Sequence, residues 1–332
     1  NGLNYQGDDD TYTVEYTTDG QSVNIVYSGS TNGWIPIEDD TVTDAPLVLN
    51  SEGIFGFGRS PTYVSMTNLV SNAGVVATDV TGVGTARYFL AACEYGEDKG
   101  IFGYGSTPTL VSMSNLVSNA GVMATDVTGV GTARSILAAC GYDYDKGIFG
   151  YGTTGSYTAV TNLVSNAGVV ATDVTGVGTA REALAACEYG GDKGIFGFGD
   201  TGSAVGMTNL VSNAGVVATD VTAVGTARIY PSACSYGGDK GIFGFGYDGS
   251  SNVGTTNLVT NVGVVGTDVT GVGTARYTLA ACEYGGDKGI FGYGYDSSHV
   301  SMSNLVSNAG VVATDTAGVG TARNGPAACS FN

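Results

Sequence analysis

The sequence predicts an all-β protein: a six-bladed β-propeller of four-stranded, roughly 47-residue blades, preceded by an N-terminal β arm. Three observations predict this fold. A pattern recurs six times, each copy divides into four short β-type segments, and the incomplete first and last copies complement each other. The arm is assigned to residues 1–50 and the propeller to residues 51–332.

The repeat is clearest in the string Ile-Phe-Gly-aromatic-Gly. Successive copies begin 47, 47, 47, 47 and 48 residues apart, at Ile54, Ile101, Ile148, Ile195, Ile242 and Ile290. Each copy also carries one Asn-Leu-Val, one Gly-Thr-Ala-Arg and one cysteine. Periods of about 40–50 residues with four strands are typical of propeller blades.

The four strands of a copy are lettered here from the predicted axis outwards. Strand A ends in a segment such as Ala-Ala-Cys, and strand B is Gly-Ile-Phe-Gly-aromatic-Gly. Strand C contains Asn-Leu-Val, and strand D is of the type Val-Val-Ala-Thr-Asp-Val, after a turn such as Ser-Asn-Ala-Gly. β-branched and aromatic runs between Gly, Asn and Asp turns are typical of strands and hairpins.

The two ends of the array predict how it closes. The first copy begins at strand B, near Ile54, and the last copy ends at strand A, with Cys329. We therefore expect the C-terminal strand to become the innermost strand of the first blade, which would leave no exposed edge at the seam.

The N-terminal arm differs in composition, with nine acidic and no basic residues among its first 50. The segments YTVEYTT and SVNIVYS flank Asp19-Gly20, which predicts a β-hairpin. Two acidic clusters offer oxygen ligands for Ca²⁺: Asp8, Asp9 and Asp10, and Glu38, Asp39 and Asp40. A solvated acidic surface is the favoured interpretation, and no cofactor is expected.

Charge and hydropathy exclude several classes of function. The chain has 30 acidic and 12 basic residues, a formal net charge of −18, which argues against nucleic-acid and anionic-membrane surfaces. No apolar run approaches the roughly 20 residues that span a bilayer, so membrane insertion is not expected. The chain begins at Asn1 without Met or a leader pattern, which suggests a processed form or a fragment of a longer chain.

Each repeat arginine has an aspartate eight residues before it. We expect structural ion pairs that tie neighbouring blades together. A ring of six arginines that binds an anion at the channel mouth is the alternative, disfavoured because ligands rarely have six-fold symmetry. The residues are Asp79 and Arg87, Asp126 and Arg134, Asp173 and Arg181, Asp220 and Arg228, Asp268 and Arg276, and Asp315 and Arg323.

The remaining reactive residues do not suggest catalysis. The six cysteines occupy equivalent strand-A positions, which we expect to be too far apart for disulfides, so they are predicted to be buried free thiols. The single histidine, His299, argues against His-based metal sites and a Ser-His-Asp triad. No asymmetric polar cluster is apparent, so we predict that the protein is not an enzyme.

Variation among the copies is concentrated in two places: the turn between strands B and C, and the three residues after each arginine. In an up-and-down blade both lie on one face, around the channel mouth. Loops on a rigid scaffold usually carry binding, although relaxed constraint on exposed turns explains the variation equally well. The candidate ligand contacts are Arg59, Tyr63, Tyr157, Tyr247, Tyr295 and His299.

The order GTAR…LAAC…KGIFGFG, seen over residues 87–105 and its copies, resembles kelch-type propeller repeats. It departs from them in its Gly-aromatic-Gly and in lacking the blade tryptophan, since the only one is Trp34. The strings NLVSNAGVVATDVTGVGTAR and LAACEYG are more similar to kelch-like repeat proteins of tailed phages. This resemblance covers about 85% of the chain and implies an extracellular virion or surface component.

These observations favour a non-enzymatic structural or binding subunit of an extracellular assembly, such as a phage tail fibre or tip, or a surface filament. Residues 1–50 would serve self-association or attachment to other subunits, and the variable face would serve recognition. The alternative is a stand-alone carbohydrate-binding propeller that recognises a surface glycan.

Overall fold

The structure is a computed structural model that describes residues 24–27, 34–37, 51–222 and 224–331. The chain divides into two compact units, Asn1–Val48 and Leu49–Asn332. In the first unit, β1 (Asn24–Tyr27) and β2 (Trp34–Ile37) form an antiparallel pair. The turn predicted at Asp19-Gly20 and both acidic clusters lie outside the described residues.

The second unit consists of short strands joined by turns. Its strands are β3 (Glu52–Gly56), β4 (Arg59–Ser60), β5 (Thr62–Tyr63), β6 (Thr67–Val70), β7 (Ala91–Tyr95), β8 (Lys99–Gly103), β9 (Ser114–Val117), β10 (Ala138–Tyr142), β11 (Lys146–Gly150), β12 (Thr161–Val164), β13 (Ala185–Tyr189), β14 (Lys193–Asp200), β15 (Ala204–Val211), β16 (Ser232–Tyr236), β17 (Lys240–Gly244), β18 (Thr256–Val259), β19 (Ala280–Tyr284), β20 (Lys288–Gly292), β21 (Ser303–Val306) and β22 (Ala327–Phe331). The described residues contain no helix, and hence none that could cross a bilayer.

Six three-stranded antiparallel sheets repeat along this unit, and a two-stranded ladder joins β4 to β5. In each sheet the strand that carries the cysteine pairs with the Gly-Ile-Phe-Gly strand, which pairs with the Asn-Leu-Val strand. In the second sheet, for example, Cys93 lies opposite Ile101, and Phe102 lies opposite Asn115. The predicted all-β repeat is confirmed.

The first sheet has the strand order β22-β3-β6, so its inner strand comes from the C-terminus. Cys329 lies opposite Ile54 in this pairing, as Cys93 does opposite Ile101 in the next sheet. The prediction that the C-terminal strand completes the first sheet is therefore confirmed.

The predicted fourth strand is wrong: strand D forms only isolated bridges to strand C. In the first copy Val76 bridges Val70, and Val80 bridges Thr67. Four steps along segment D therefore face three steps along strand C. One extra residue on one side of a ladder bends it outwards, as in a β-bulge.

A buried side chain occupies the interval between the two bridges. The Asn68 amide nitrogen donates to the Ala77 carbonyl and to the Asp79 carboxylate, each at a distance of 2.9 Å. Because this side chain takes the place of a backbone partner, a regular ladder does not form. Each sheet thus ends as three strands plus a bridged segment.

The inner strands pack against one another in sequence. Strand β7 contacts β10, the contacts continue through β13, β16 and β19, and β22 contacts both β19 and β7. Along β7, Ala92, Cys93 and Glu94 line a cavity to which all six inner strands contribute, here called the channel. Cys93 and Tyr95 also belong to a hydrophobic cluster that includes Phe149 of the next sheet. Cys93 and Tyr95 share this cluster because of the two-residue period of a strand.

Candidate functional site

The two most variable segments of the repeat lie side by side. The first residue after each repeat arginine forms an antiparallel bridge with the turn that follows strand B. Examples are Asn324 with Arg59, Tyr88 with Ser106, and Tyr277 with Tyr295. These paired segments form the surface that we call the variable face.

A cycle of six backbone hydrogen bonds lies at this end of the channel. The N–H of the second residue after each repeat arginine donates to the carbonyl of its equivalent in the neighbouring repeat, over 2.8–3.4 Å. All six residues have φ between 52° and 58°, a backbone region that residues other than glycine rarely adopt. They are Phe89, Ile136, Ala183, Tyr230, Thr278 and Gly325.

Two large rings meet across this cycle. Phe89 and Tyr230 are three places apart in the cycle of six, so they stand on opposite sides of it. Their rings stack with centroids 5.6 Å apart and planes 19° apart. The pair therefore spans the end of the channel.

Further rings extend from Phe89 on its side of the cycle. The ring of Tyr88 lies 4.3 Å from that of Phe89, and the ring of Tyr63 stacks on Tyr88 at 5.0 Å. All three side chains are half-buried. Because Tyr63 belongs to the B–C turn, the two variable segments contribute to one aromatic surface.

A longer series extends from Tyr230 on the other side. The ring of Tyr277 lies 6.0 Å from Tyr230, and it contacts both Tyr247 at 6.0 Å and Tyr295 at 5.7 Å. His299 lies 5.7 Å from Tyr295. We call the eight connected rings the aromatic row: Tyr63, Tyr88, Phe89, Tyr230, Tyr247, Tyr277, Tyr295 and His299.

The aromatic row brings together four of the six residues predicted as ligand contacts: Tyr63, Tyr247, Tyr295 and His299. The other two lie outside it. Arg59 is exposed and donates from Nε to the Pro61 carbonyl over 3.0 Å. Tyr157 is also exposed, and its hydroxyl donates to the Asp200 carboxylate at a distance of 3.5 Å.

The remaining four members, Tyr88, Phe89, Tyr230 and Tyr277, were not predicted as contacts. They occupy the first and second positions after the repeat arginines, within the variable strings YFL, IYP and YTL. The signal was present in the sequence, because aromatic residues occur there in only some copies. What the sequence could not show is that copies distant in the chain meet across the cycle.

An acidic pair lies next to the aromatic row. Glu182 and Asp200 bridge each other through their backbones. Burial raises the pKa of Glu182, and the charge of Asp200 raises it further. Burial raises the pKa of Tyr230 to about 12, and the charges of Glu182 and Asp200 contribute. This pair is an asymmetric polar cluster, contrary to the expectation from the sequence.

The repeat arginines point inwards and are fully buried. Arg87 donates from Nε to the Tyr104 carbonyl at 2.9 Å, from Nη1 to the Thr85 carbonyl at 3.1 Å, and from Nη2 to Asn115 Oδ1 at 2.6 Å. Its guanidinium also lies 4.3 Å from the centre of the Phe57 ring. Burial lowers the pKa of Arg87 to about 10.

The aspartate beside each arginine belongs to another copy of the repeat. Arg87 lies 3.8 Å from Asp126, which is 39 residues later, rather than pairing with Asp79, eight residues earlier. Burial favours a higher pKa for Asp126, but hydrogen bonds from Thr85 and Asn115 outweigh it and lower the pKa. The same contact at 3.9 Å joins Arg181 to Asp220, Arg276 to Asp315, and Arg323 to Asp79. Asp173 and Asp268 act likewise by charge on Arg134 and Arg228.

Three glutamates line the channel, each one residue after a repeat cysteine. Around the channel they alternate with small residues, in the order Glu94, Gly141, Glu188, Ser235, Glu283 and Ser330. Burial raises the pKa of Glu188 and Glu283 well above the usual range, and charge from Glu94 adds to it. The sequence signal was a glutamate after the cysteine in every second copy.

The six cysteines are free and buried. Their side chains pack between sheets, as Cys93 does against Gly147 of the next sheet. Burial raises the pKa of Cys93, which keeps the thiol protonated and unreactive. Within the described part of the chain, no three Cys, His, Asp or Glu side chains are grouped so as to hold a metal ion.

Comparisons with known proteins add no family. No protein-family model matches the chain. No curated protein matches it either. The kelch-like resemblance therefore remains a prediction from the repeat pattern.

Proposed function

We propose that the chain is a non-enzymatic structural and binding subunit of an extracellular assembly, such as a phage tail fibre or tip, or a surface filament. The observation that carries this proposal is the pairing of the two variable segments on one face of an otherwise repeated unit. A rigid repeated scaffold with one variable surface suits recognition.

In this proposal the six sheets form a closed, kelch-like β-propeller. Three contacts support closure: the pairing of β22 with β3, its packing on both β19 and β7, and the hydrogen-bond cycle at the channel end. Closure would leave no open sheet edge at the seam between the first and last copies.

Three of the six repeat arginines, Arg87, Arg181 and Arg276, donate from all three side-chain nitrogens to groups of the scaffold. Arg87 and Asp126 are satisfied by Thr85, Asn115 and backbone carbonyls, and the buried thiols have raised pKa values. Such groups hold structure and are poorly suited to acid–base or nucleophilic work. This supports a non-enzymatic role, with the N-terminal residues 1–50 as the proposed attachment to other subunits.

A stand-alone carbohydrate-binding propeller is the second candidate. The aromatic row favours it, because partly exposed aromatic rings provide large contact areas for ligands. In that case residues 1–50 would not mediate assembly.

Negative-stain electron microscopy and mass photometry on the full chain and on a chain lacking residues 1–50 test the assembly role. We expect fibres or defined oligomers from the full chain and their loss on truncation. Monomers in both samples would contradict the assembly role and leave the second candidate. Equal assembly by both chains would reject residues 1–50 as the connector.

A further inference from the structure

We propose that the aromatic row binds a single strand of an uncharged polysaccharide, laid across the end of the channel. This inference deepens the proposed function, because it assigns a ligand class to the variable face. It is carried by the connected rings, their position across the hydrogen-bond cycle and the charge around them.

The chemistry of the row suits sugar rings. A pyranose has C–H faces that pack on aromatic rings and hydroxyl groups that hydrogen-bond at its edge. Seven of the eight members of the row are Tyr or Phe, and each of the eight side chains is half-buried, so each keeps an accessible part. The hydroxyls of Tyr88, Tyr230 and Tyr277 add donors and acceptors beside the rings.

The extent of the row suits a chain rather than one sugar. The Phe89–Tyr230 stack joins rings from opposite sides of the cycle, and the series continues outwards in both directions to Tyr63 and His299. A monosaccharide would cover only one or two rings. A strand of linked sugars would contact the row along its length.

Only one of the lines that join opposite residues of the cycle carries aromatic rings at both ends. The equivalent positions elsewhere in the cycle are Ile136, Ala183, Thr278 and Gly325, which leave the Phe89–Tyr230 line as the aromatic one. A six-fold ligand is therefore not required, and a strand that crosses along this line fits the asymmetry.

The surrounding charge disfavours an anionic polymer. Glu182 and Asp200 stand beside Tyr230, and the whole chain carries a formal charge of −18. The carboxylates of the turns are already engaged: Asp200 accepts from the Gly202 N–H, and Asp248 accepts from the Ser250 N–H, each over 2.8 Å. The row itself contains no carboxylate, so its own contacts favour an uncharged ligand, and the cationic probe tests the alternative.

Affinity gel electrophoresis of the full chain tests the proposal. The gels contain mixed-linkage β-glucan, hydroxyethyl cellulose, galactomannan or dextran as uncharged probes, alginate as the anionic probe and chitosan as the cationic probe. We expect retardation by at least one uncharged polysaccharide. Retardation by none of them, or only by alginate or chitosan, would overturn the proposal.

The repeat supplies matched substitutions. Phe89→Ala and Tyr230→Ala introduce alanine, which occurs naturally at the equivalent position of another copy, Ala183, with φ of 56°. Tyr277→Ser introduces serine, which occurs naturally at the equivalent position Ser135. We expect each to weaken retardation about tenfold, as removal of an aromatic anchor does. Tyr144→Ala is the control, since this 64% exposed tyrosine lies in the turn between β10 and β11. Undiminished binding by all three variants, with unfolding curves like that of the parent chain, would also overturn the proposal.

The result is separable from the assembly test. Fibres without polysaccharide binding would reject the ligand class and leave the assembly role standing. Polysaccharide binding by a monomer would support the ligand class and reject assembly. Assay of released reducing ends completes the design: their appearance would support the polysaccharide and contradict the non-enzymatic role, with Glu182 and Asp200 as the acids to test.

Discussion

Arg181 shows how neighbouring groups of the scaffold stabilise a buried charge. Arg181 donates to the Phe198 carbonyl at 2.8 Å and to Asn209 Oδ1 at 2.7 Å, and it lies 4.3 Å from the centre of the Tyr151 ring. Its carboxylate, Asp220, is 3.9 Å away, beyond hydrogen-bond distance. The charge is thus stabilised mainly by hydrogen bonds and a ring face, with the carboxylate as a secondary partner.

The asparagine in this network is predicted to be its most sensitive member. Asn115→Ala removes the acceptor of Arg87 Nη2 and a donor to Asp126. We expect a loss of about 3 kcal/mol in the free energy of unfolding, because a buried guanidinium is left under-bonded. Urea unfolding followed by circular dichroism measures it. Asn119→Ala is the control, since that exposed amide donates to the Asp98 carboxylate at the surface, and a loss below about 0.5 kcal/mol is expected. Equal losses in the two variants would contradict the prediction.

At the scale of the element, segment D determines how each sheet ends. Its extra residue bends it away from strand C, and its turn is packed under the neighbouring sheet. Gly74 has φ of 75°, and a Cβ there would meet the Tyr284 ring at 2.8 Å and Leu305 at 2.9 Å. The turn therefore needs glycine for two reasons, a backbone conformation and a close contact.

These two reasons can be separated with a second glycine. Gly238 has φ of 76° but nothing within 4 Å of its Cβ position. We expect Gly238→Ala to cost about 1 kcal/mol for the backbone, and Gly74→Ala to cost about 2 kcal/mol more for the clash. Thermal and urea unfolding of the two variants measure the difference. Similar stabilities would mean that the Tyr284 ring moves away from the added methyl group at no cost in free energy, which would contradict the prediction.

The sequence predicted the elements better than their partners. The Ile-Phe-Gly-aromatic-Gly string and the complementary ends at Ile54 and Cys329 predicted the sheets and the pairing of β22, because strand patterns and copy boundaries are local properties. The bulge of segment D depends on the side chain of Asn68, which competes with the backbone. The pairing of Arg87 with Asp126 depends on which copies are neighbours, and eight-residue spacing could not reveal it.

At the scale of the whole molecule, glutamates from alternate repeats come together in the channel. Glu94, Glu188 and Glu283 are about 95 residues apart in sequence. Burial raises the pKa of Glu188 and Glu283, and the charge of Glu94 raises both further. Glu188 also accepts a hydrogen bond from the backbone of Gly141. The cost of charging these side chains is therefore a property of the assembled sheets.

The channel glutamates predict a pH dependence of stability. The pKa of Glu188 is raised in the folded state above its unfolded value of 4.5, so folding is disfavoured as pH rises from that value through the folded pKa. We expect Glu188→Gln to match the parent chain in melting temperature near pH 4 and to exceed it increasingly towards pH 8. Melting curves at pH 4, 5, 6, 7 and 8 measure this. A constant difference across these pH values would contradict the prediction.

The cycle of hydrogen bonds at the channel end has a consequence for how such a protein can change its length. Six head-to-tail amide dipoles that return to their starting point have no free donor and no free acceptor. An open stack of repeats can gain or lose a unit at its end. Here a duplicated copy would have to break one of these bonds and a deleted copy two, and either change would alter the angles of the others. Copy number is therefore expected to change in this chain only together with the geometry of the central circle.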